Sequence, residues 1–432
     1  MSRFLFGTLG SLGDVHPYIA VARALVARGH TAVIATSEEH RSVIEGAGVE
    51  FCAMYPALAQ KEDYQASVAQ MYDVRRGPEV LVRRFVMPHL RSACECLLEA
   101  SRGADVLVSH PLAMALPLAA EKLGKPRVAT VLSPLLFISA FDPPVIPEAP
   151  WLYNLRIFGP GVHRFLFRLA KYKIGSWEGP LRDLRTELGL APARHSAMFE
   201  GHNSSLLNLA MFDAQLASPQ PDWPVNTLVC GSALFDGAQP DAAVIDDLEK
   251  FLAAGDAPVV FALGSSAVWI AGDFWEKAVA ATLKFGMRAI LLTGPHVPQA
   301  LPENVRAYPY LPYSMVFPRA CAVVHQAGIG TLSHALRAGR PQLIVPLAFD
   351  QPDNARRACS LGPGRTVPFR KVTAGRLAAE ISELLGAPAY ASAARRVAAQ
   401  LAHTDGAARA AEALISCAAR QNPGFAARIP GD

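Results

Sequence analysis

The chain of 432 residues lacks any run of the roughly 20 apolar residues that a bilayer-spanning helix needs, so a membrane-spanning protein is not expected. Its first apolar stretch, in MSRFLFGTLGSLGD, is too short for a secretory leader and breaks at glycines. A large charge of one sign is missing too. The 41 basic and 37 acidic residues leave a formal charge of +4, which gives no support for nucleic acid as a partner. The seven cysteines, at Cys52, Cys94, Cys96, Cys230, Cys321, Cys359 and Cys417, are odd in number and show no zinc-site spacing. They read as free thiols in a reducing, cytoplasmic setting. No Asp-x-Asp suggests a divalent ion clamping a diphosphate, so no metal and no resident cofactor is expected. Neither G-x-x-x-x-G-K-[ST] nor a strict G-x-G-x-x-G occurs.

What the chain does have is apolar sequence for sizeable cores, with 51% of residues hydrophobic and 18% charged. Two domains are expected at this length. Phe4, Leu5 and Phe6 read as a buried strand, followed by a glycine-broken loop from Gly7 to Gly13. A helix comes next, apolar at Ile19, Ala22, Leu25 and Val26 and stopped by Gly29. Strands at 31–36, 105–109 and 127–132, with a helix at 113–123, continue the alternation of an α/β fold with a parallel sheet. Residues 133–201 break the rhythm with proline, aromatics and arginine, and 236–241 read as a linker. Strands at 258–263, 288–293, 322–325 and 342–346 and a helix at 331–338 restart it. The expected domains are 1–235 and 236–400, with a C-terminal helix and tail at 401–432 able to pack back on the first. Two doubly wound domains facing each other put a ligand in the cleft between the carboxyl ends of their strands.

The segment HQAGIGTLSHALRAGRPQLIVPLAFDQPDNA carries the most information. A strand ends at His325, a small-residue turn follows, and a helix opens at Thr331. Such a turn aims backbone N–H groups and the positive helix end at an anion. Glycines let that anion approach the main chain. His325 can add a side-chain donor. The complete segment resembles the donor-binding signature of nucleotide-sugar glycosyltransferases of the GT-B architecture, the UDP-glycosyltransferase-like fold of two Rossmann-like domains. Together with GTLGSLGDVHP and PQPDWP…GSALFDG, it is most similar to bacterial sterol, antibiotic and rhamnolipid (rhamnosyltransferase) enzymes.

That resemblance implies roles for individual residues. His325, Gly328, Ile329, Gly330 and Thr331 would grip the donor's pyrophosphate, with Ser265 and Ser266 assisting, and Asp350 and Gln351 would bind sugar hydroxyls. Tyr310, followed by Leu311 and Pro312, falls where the family stacks an aromatic ring on the base. Ala327 replaces a glycine common in relatives, a mild departure. Ser333 stands where many UDP-sugar enzymes carry a ribose-binding glutamate, which tilts the expected donor from UDP-glucose toward a dTDP-sugar such as dTDP-rhamnose. In the first half, Asp14 would be the base that takes the acceptor hydroxyl's proton during an inverting displacement. As plain chemistry, an Asp before an apolar-periodic segment is also a helix cap. His16 is the rival base, and His110 could orient an acceptor or pair with a base.

The acceptor, a hydrophobic small molecule or lipid, is expected against the first domain, along the irregular stretches 54–72 and 133–141, with Leu135 and Phe137 in an apolar wall. Residues 156–173 interleave aromatics with Arg and Lys. An ordinary amphipathic helix explains them, and a peripheral contact with an anionic membrane is the alternative. A UDP-glucose-dependent enzyme acting on phenols or sterols, a nucleotide-sugar epimerase and a binding module without catalysis remain as other readings. Neither the acceptor nor the oligomeric state follows from the residues.

Overall fold

The computed structural model describes residues 1–56, 61–298 and 300–421. Among them, thirteen strands form two sheets in which every pairing is parallel. The first sheet holds β1 (Arg3–Gly7), β2 (Thr31–Ser37), β3 (Glu50–Tyr55), β4 (Val106–Ser109), β5 (Arg127–Val131), β6 (Asn208–Ala210) and β7 (Thr227–Val229), in the order β3-β2-β1-β4-β5-β6-β7. The second holds β8 (Val259–Ala262), β9 (Ala289–Leu292), β10 (Val305–Tyr308), β11 (Ala322–His325), β12 (Gln342–Ile344) and β13 (Gly364–Thr366), in the order β10-β9-β8-β11-β12-β13. The fold is α/β, with two Rossmann-like domains.

Strand periodicity explains why both faces of each sheet must be covered. Phe4 and Phe6 enter one core while Leu5 between them enters another, and Val106 and Val108 divide from Leu107 in the same way. In the second sheet Val259 and Phe261 separate from Val260 and Ala262. Strands apolar on both faces need helices on both faces.

Strand order then decides where ligands can bind. In the first sheet the chain leaves β1 toward β2 on one side and later returns to β4 on the other. In the second, β8 has β9 on one side and β11 on the other. Beyond the carboxyl ends of β1 and β4, and of β8 and β11, the connecting loops diverge and leave a crevice. Asp14 and His110 follow β1 and β4, whereas Ser265 and the 326–331 turn follow β8 and β11.

Several elements escape the sequence reading. Residues 54–72, expected to be irregular, instead finish β3 and include the helix Lys61–Met71, and the broken-rhythm region adds the helix Gly179–Glu187, whereas the amphipathic helix read at 156–173 is present as Pro160–Ile174. The last helix, Gly406–Gln421, crosses back to the first domain. There Ala410, Ala411, Leu414 and Cys417 join the core of helix α1 (Leu12–Val26), and Arg28 meets Glu412 at 3.4 Å. The preceding helix, Pro388–Leu401, stays with the second domain, its Val397 and Leu401 packed with Leu332 and Leu336. No helix among the described residues is long and apolar enough to cross a membrane.

Candidate active site

Both crevices open into one cleft of about 1260 Å³. On the first-domain side, Ser11 caps α1, and the Asp14 side chain accepts in return from the Ser11 backbone N–H at 2.8 Å. That bond uses Oδ2. The other oxygen, Oδ1, lies 3.7 Å from His110 Nε2 in the cleft. Asp14 therefore combines the cap expected of such a residue with a carboxylate oxygen left for chemistry. Burial raises its pKa to about 7, Asp350 across the cleft pushes in the same direction, and the Ser11 N–H opposes both. His110 accepts from the Leu112 N–H at Nδ1, and burial drives its pKa down to about 3. It is thus a neutral ring whose Nε2–H can donate toward Asp14.

His16 also borders the cleft but has different neighbours. It packs edge-on against Phe235, 5.1 Å between ring centroids, and feels the charges of His334, His40 and Asp236. Burial lowers its pKa to about 4. Two residues along a helix turn a side chain through about 200°. Asp14 thus faces Asp350, and His16 faces the interdomain linker.

On the second-domain side the helix Ile329–Ala338 begins with Gly328 as its cap and no side-chain cap bond. The N–H groups of Ile329, Gly330 and Thr331, residues that line the cleft, have no carbonyl a turn earlier to bond. Geometry corrects the reading of His325 here. Its ring is fully buried: Nε2 lies 3.0 Å from Gln342 Oε1 and Nδ1 accepts from the Ala327 N–H at 3.1 Å. Both nitrogens are used inside the domain, and burial lowers the pKa to about 4. The ring braces the turn instead of reaching an anion. Gln326 is the side chain that lines the cleft, its Oε1 buried without a partner and its Nε2 3.4 Å from Thr331 Oγ1. Gly264, at φ +72°, makes room for it, since a Cβ there would stand 2.2 Å from Gln326 Nε2.

The same one-residue offset recurs in the helix. Thr331 and His334, three apart, share the face that lines the cleft. Ser333 turns away, 2.8 Å from Ser232 Oγ, which in turn donates to Asp213. Ser333 therefore lies outside the cleft lining and offers a ribose no side-chain partner. Ala327 also differs from expectation. Its φ of +68° is a left-handed conformation that costs a residue with a Cβ about 1 kcal/mol, so the departure from glycine is not mild. Ile138 and Phe349, the other two described non-glycine residues with positive φ, line the cleft.

Ser265 and Ser266, in the single turn after β8, line the cleft, as does Tyr310. The Tyr310 hydroxyl lies beside Gly237, whose φ of +71° and missing Cβ let the linker pass. Leu311 does not share that position; it is fully buried in the core with Phe317 and Val323. Asp350 accepts from Asn354 Nδ2 at 2.7 Å, and burial raises its pKa to about 6. Gln351 uses Oε1 to hold the Leu347 and Ala348 N–H groups, which leaves its amide nitrogen for the cleft. Tyr72, named earlier only as the end of an acceptor stretch, reaches across from the first domain. Its buried hydroxyl lies near Ser266 and Gln351, and its ring packs edge-on against Phe349. No local pattern marks it, because its partners lie about two hundred residues or more away.

The acceptor side is apolar, with Leu135, Leu136, Ile138, Ile146, Leu152 and Phe167 in its wall. Phe137 is not part of it. Its ring stacks on Trp223 with centroids 4.0 Å apart and packs edge-on against Phe212.

Residues 4–136 match the glycosyltransferase family 28 N-terminal domain, and residues 292–416 match the erythromycin biosynthesis protein CIII-like C-terminal domain. The chain is 30% identical over 407 residues to O-mycaminosyltylonolide 6-deoxyallosyltransferase of Streptomyces fradiae, covering 90% of this chain and 91% of that one. Among solved structures it resembles the spinosyn rhamnosyltransferase SpnG, with a TM-score of 0.67 at 20% identity over 96% of this chain and all of the other. It also resembles the glycosyltransferase VinC in complex with dTDP, with a TM-score of 0.65 at 20% identity over 97% of this chain and all of the other.

Proposed function

We infer a specific reaction for a chain that belongs to the nucleotide-sugar glycosyltransferases of the antibiotic type, with the two-domain GT-B fold. The reaction is transfer of a hexose, with rhamnose from dTDP-rhamnose as one form, to a hydroxyl of a hydrophobic acceptor, with inversion at the anomeric carbon. The observation that carries it is the free oxygen of Asp14 facing Asp350 across the cleft, above an uncapped helix start. The acceptor oxygen bonds the anomeric carbon as the bond from that carbon to the nucleoside diphosphate breaks, and the hydroxyl proton passes to Asp14. The diphosphate leaves with the electron pair. Its charge meets the N–H groups of Ile329, Gly330 and Thr331 and the Gln326 amide, with Ser265 and Ser266 opposite.

Support for a thymidine nucleotide now comes from the relatives, one named for a 6-deoxyhexose and another holding dTDP. The test is to incubate the protein with dTDP- and UDP-sugars, with and without mixed hydrophobic acceptors, in the presence of a chelator. A transferase consumes donor only with acceptor, and the metal-free reading expects full rate under chelation. Consumption without acceptor makes it an epimerase, an unchanged donor makes it a binding module, and faster use of UDP-glucose removes the dTDP assignment.

The exchange of His325 for Gln326 has its own signature. Gln326→Ala is expected to raise the donor KM about tenfold through loss of one hydrogen bond to a charged group, with little change in thermal midpoint. His325→Ala is expected to destabilise the fold by about 2–5 kcal/mol, because it opens a cavity and strands the Gln342 amide and the Ala327 N–H. Thermal melts and donor titrations separate the two, and the opposite pattern would restore His325 as the ligand.

A further inference from the structure

The helix Pro160–Ile174 and the 3-10 segment Pro150–Phe158 before it form an outer wall with two apolar faces. On the helix, His163, Phe167, Ala170 and Ile174 recur at helical spacing, and the last three border the cleft. A second stripe, Phe165, Leu169 and Tyr172, has the same spacing and faces out, with Tyr172 90% exposed. The preceding segment adds Trp151, Ile157 and Phe158, all more than half exposed. Six large apolar side chains bared within twenty-two residues are unlike the scattered singles expected of a soluble surface, and such clusters mark contact sites.

Charge selects the occupant. From Pro150 to Trp177 the chain has five cations, Arg156, Arg164, Arg168, Lys171 and Lys173, and no acid. Glu200 pairs with Lys171 from outside, and Arg156 and Arg164 lie over Tyr153 and Phe141 at 4.0 and 5.1 Å from their ring centroids, which spreads the positive charge among aromatics. A second copy docked through this face would set cations against cations. An anionic lipid surface matches both features, since headgroups take the arginines while aromatic and aliphatic side chains enter the acyl boundary.

We propose that this wall docks the enzyme reversibly on anionic phospholipid bilayers, with residues 151–172 in the interface. The opposite face of the same helix lines the acceptor side of the cleft, so docking brings that apolar cavity next to the lipid from which a hydrophobic molecule partitions. The inference stands on the outer face and does not depend on the identity of the sugar or acceptor.

Co-sedimentation of the full chain with phosphatidylcholine vesicles, with and without phosphatidylglycerol, tests it. Binding is expected only when phosphatidylglycerol is present, weakening as salt rises. Arg164→Glu with Arg168→Glu should lower the bound fraction about tenfold or more, and Phe165→Ser with Leu169→Ser should abolish it. Both variants should transfer sugar to a water-soluble acceptor at the wild-type rate, which shows that they fold. Absence of binding, binding indifferent to phosphatidylglycerol, or variants that bind like the wild type would each overturn the proposal. So would a wild-type dimer in analytical ultracentrifugation that Phe165→Ser with Leu169→Ser makes monomeric.

Discussion

Asp14→Asn is expected to lower kcat by about 10²- to 10⁴-fold, the usual contribution of a general base, while raising the thermal midpoint above pH 7. The two effects have one cause. Burial raises the Asp14 pKa from 3.8 to about 7, so the folded protein holds that proton more tightly than the unfolded chain. The stability contributed by Asp14 is complete below pH 3.8 and is lost as pH climbs through about 7. Asparagine resembles the protonated form. It can still accept from Ser11, which keeps the capping box, and it carries no charge to desolvate at high pH. Activity runs the other way, since only the ionised carboxylate takes a proton. Wild-type kcat should therefore rise with pH and level off above about 7, and the residual activity of the variant should lose that limb. A merely structural Asp14 would give lower stability and an unchanged pH profile. His16→Asn, by contrast, should leave the limb in place.

The second large effect belongs to Asp350. Asp350→Ala should raise the donor KM and reduce kcat/KM by about 10- to 100-fold, because each hydrogen bond to an ionised carboxylate contributes about 1.5–3 kcal/mol. Burial holds its pKa at about 6, and only the ionised form accepts from two hydroxyls at once. Wild-type donor KM should accordingly worsen as pH falls through about 6, and the variant should lose that dependence. The acceptor KM should not move. Asp350 also supplies part of the like charge that raises the Asp14 pKa, so its removal should shift the rising limb of kcat to lower pH. Donor titrations across pH decide the matter: an unaltered donor KM would take Asp350 out of the sugar site.

The α/β class, the parallel sheets and the cleft were legible because buried strands and glycine turns leave marks within a few residues. Three-residue strands such as β6, β7 and β13 leave none; they are held by neighbours distant in sequence. Within the site, the chain showed which segments matter but not which way their side chains point. The turn after β11 was found, yet its reading was displaced by one residue, assigning His325 and Ser333 where Gln326 and His334 face the cleft. One step rotates a side chain by about 100° in a helix and to the opposite face in a strand, so a small error of register exchanges a ligand for a strut. Phe137 and Leu311 show the same limit, as apolar residues in the right segments that pack inward. Tyr72 lay beyond local reading altogether, because its role arises from residues of the other domain.

The helix Gly406–Gln421, seated on α1, has a mechanical consequence. The chain crosses between the domains twice, once through 236–241 and again just after Leu401, where the Arg337 guanidinium donates to the carbonyl oxygens of Leu401 and Thr404. Two crossings fix the relative placement of the domains more tightly than one linker would, and bonds such as Ser133 to Asn354 and Ser232 to Ser333 add to them. The second crossing thus ties the donor-side domain directly to the helix that carries Asp14, so that the carboxylate and Asp350 are held in register from both ends of the cleft.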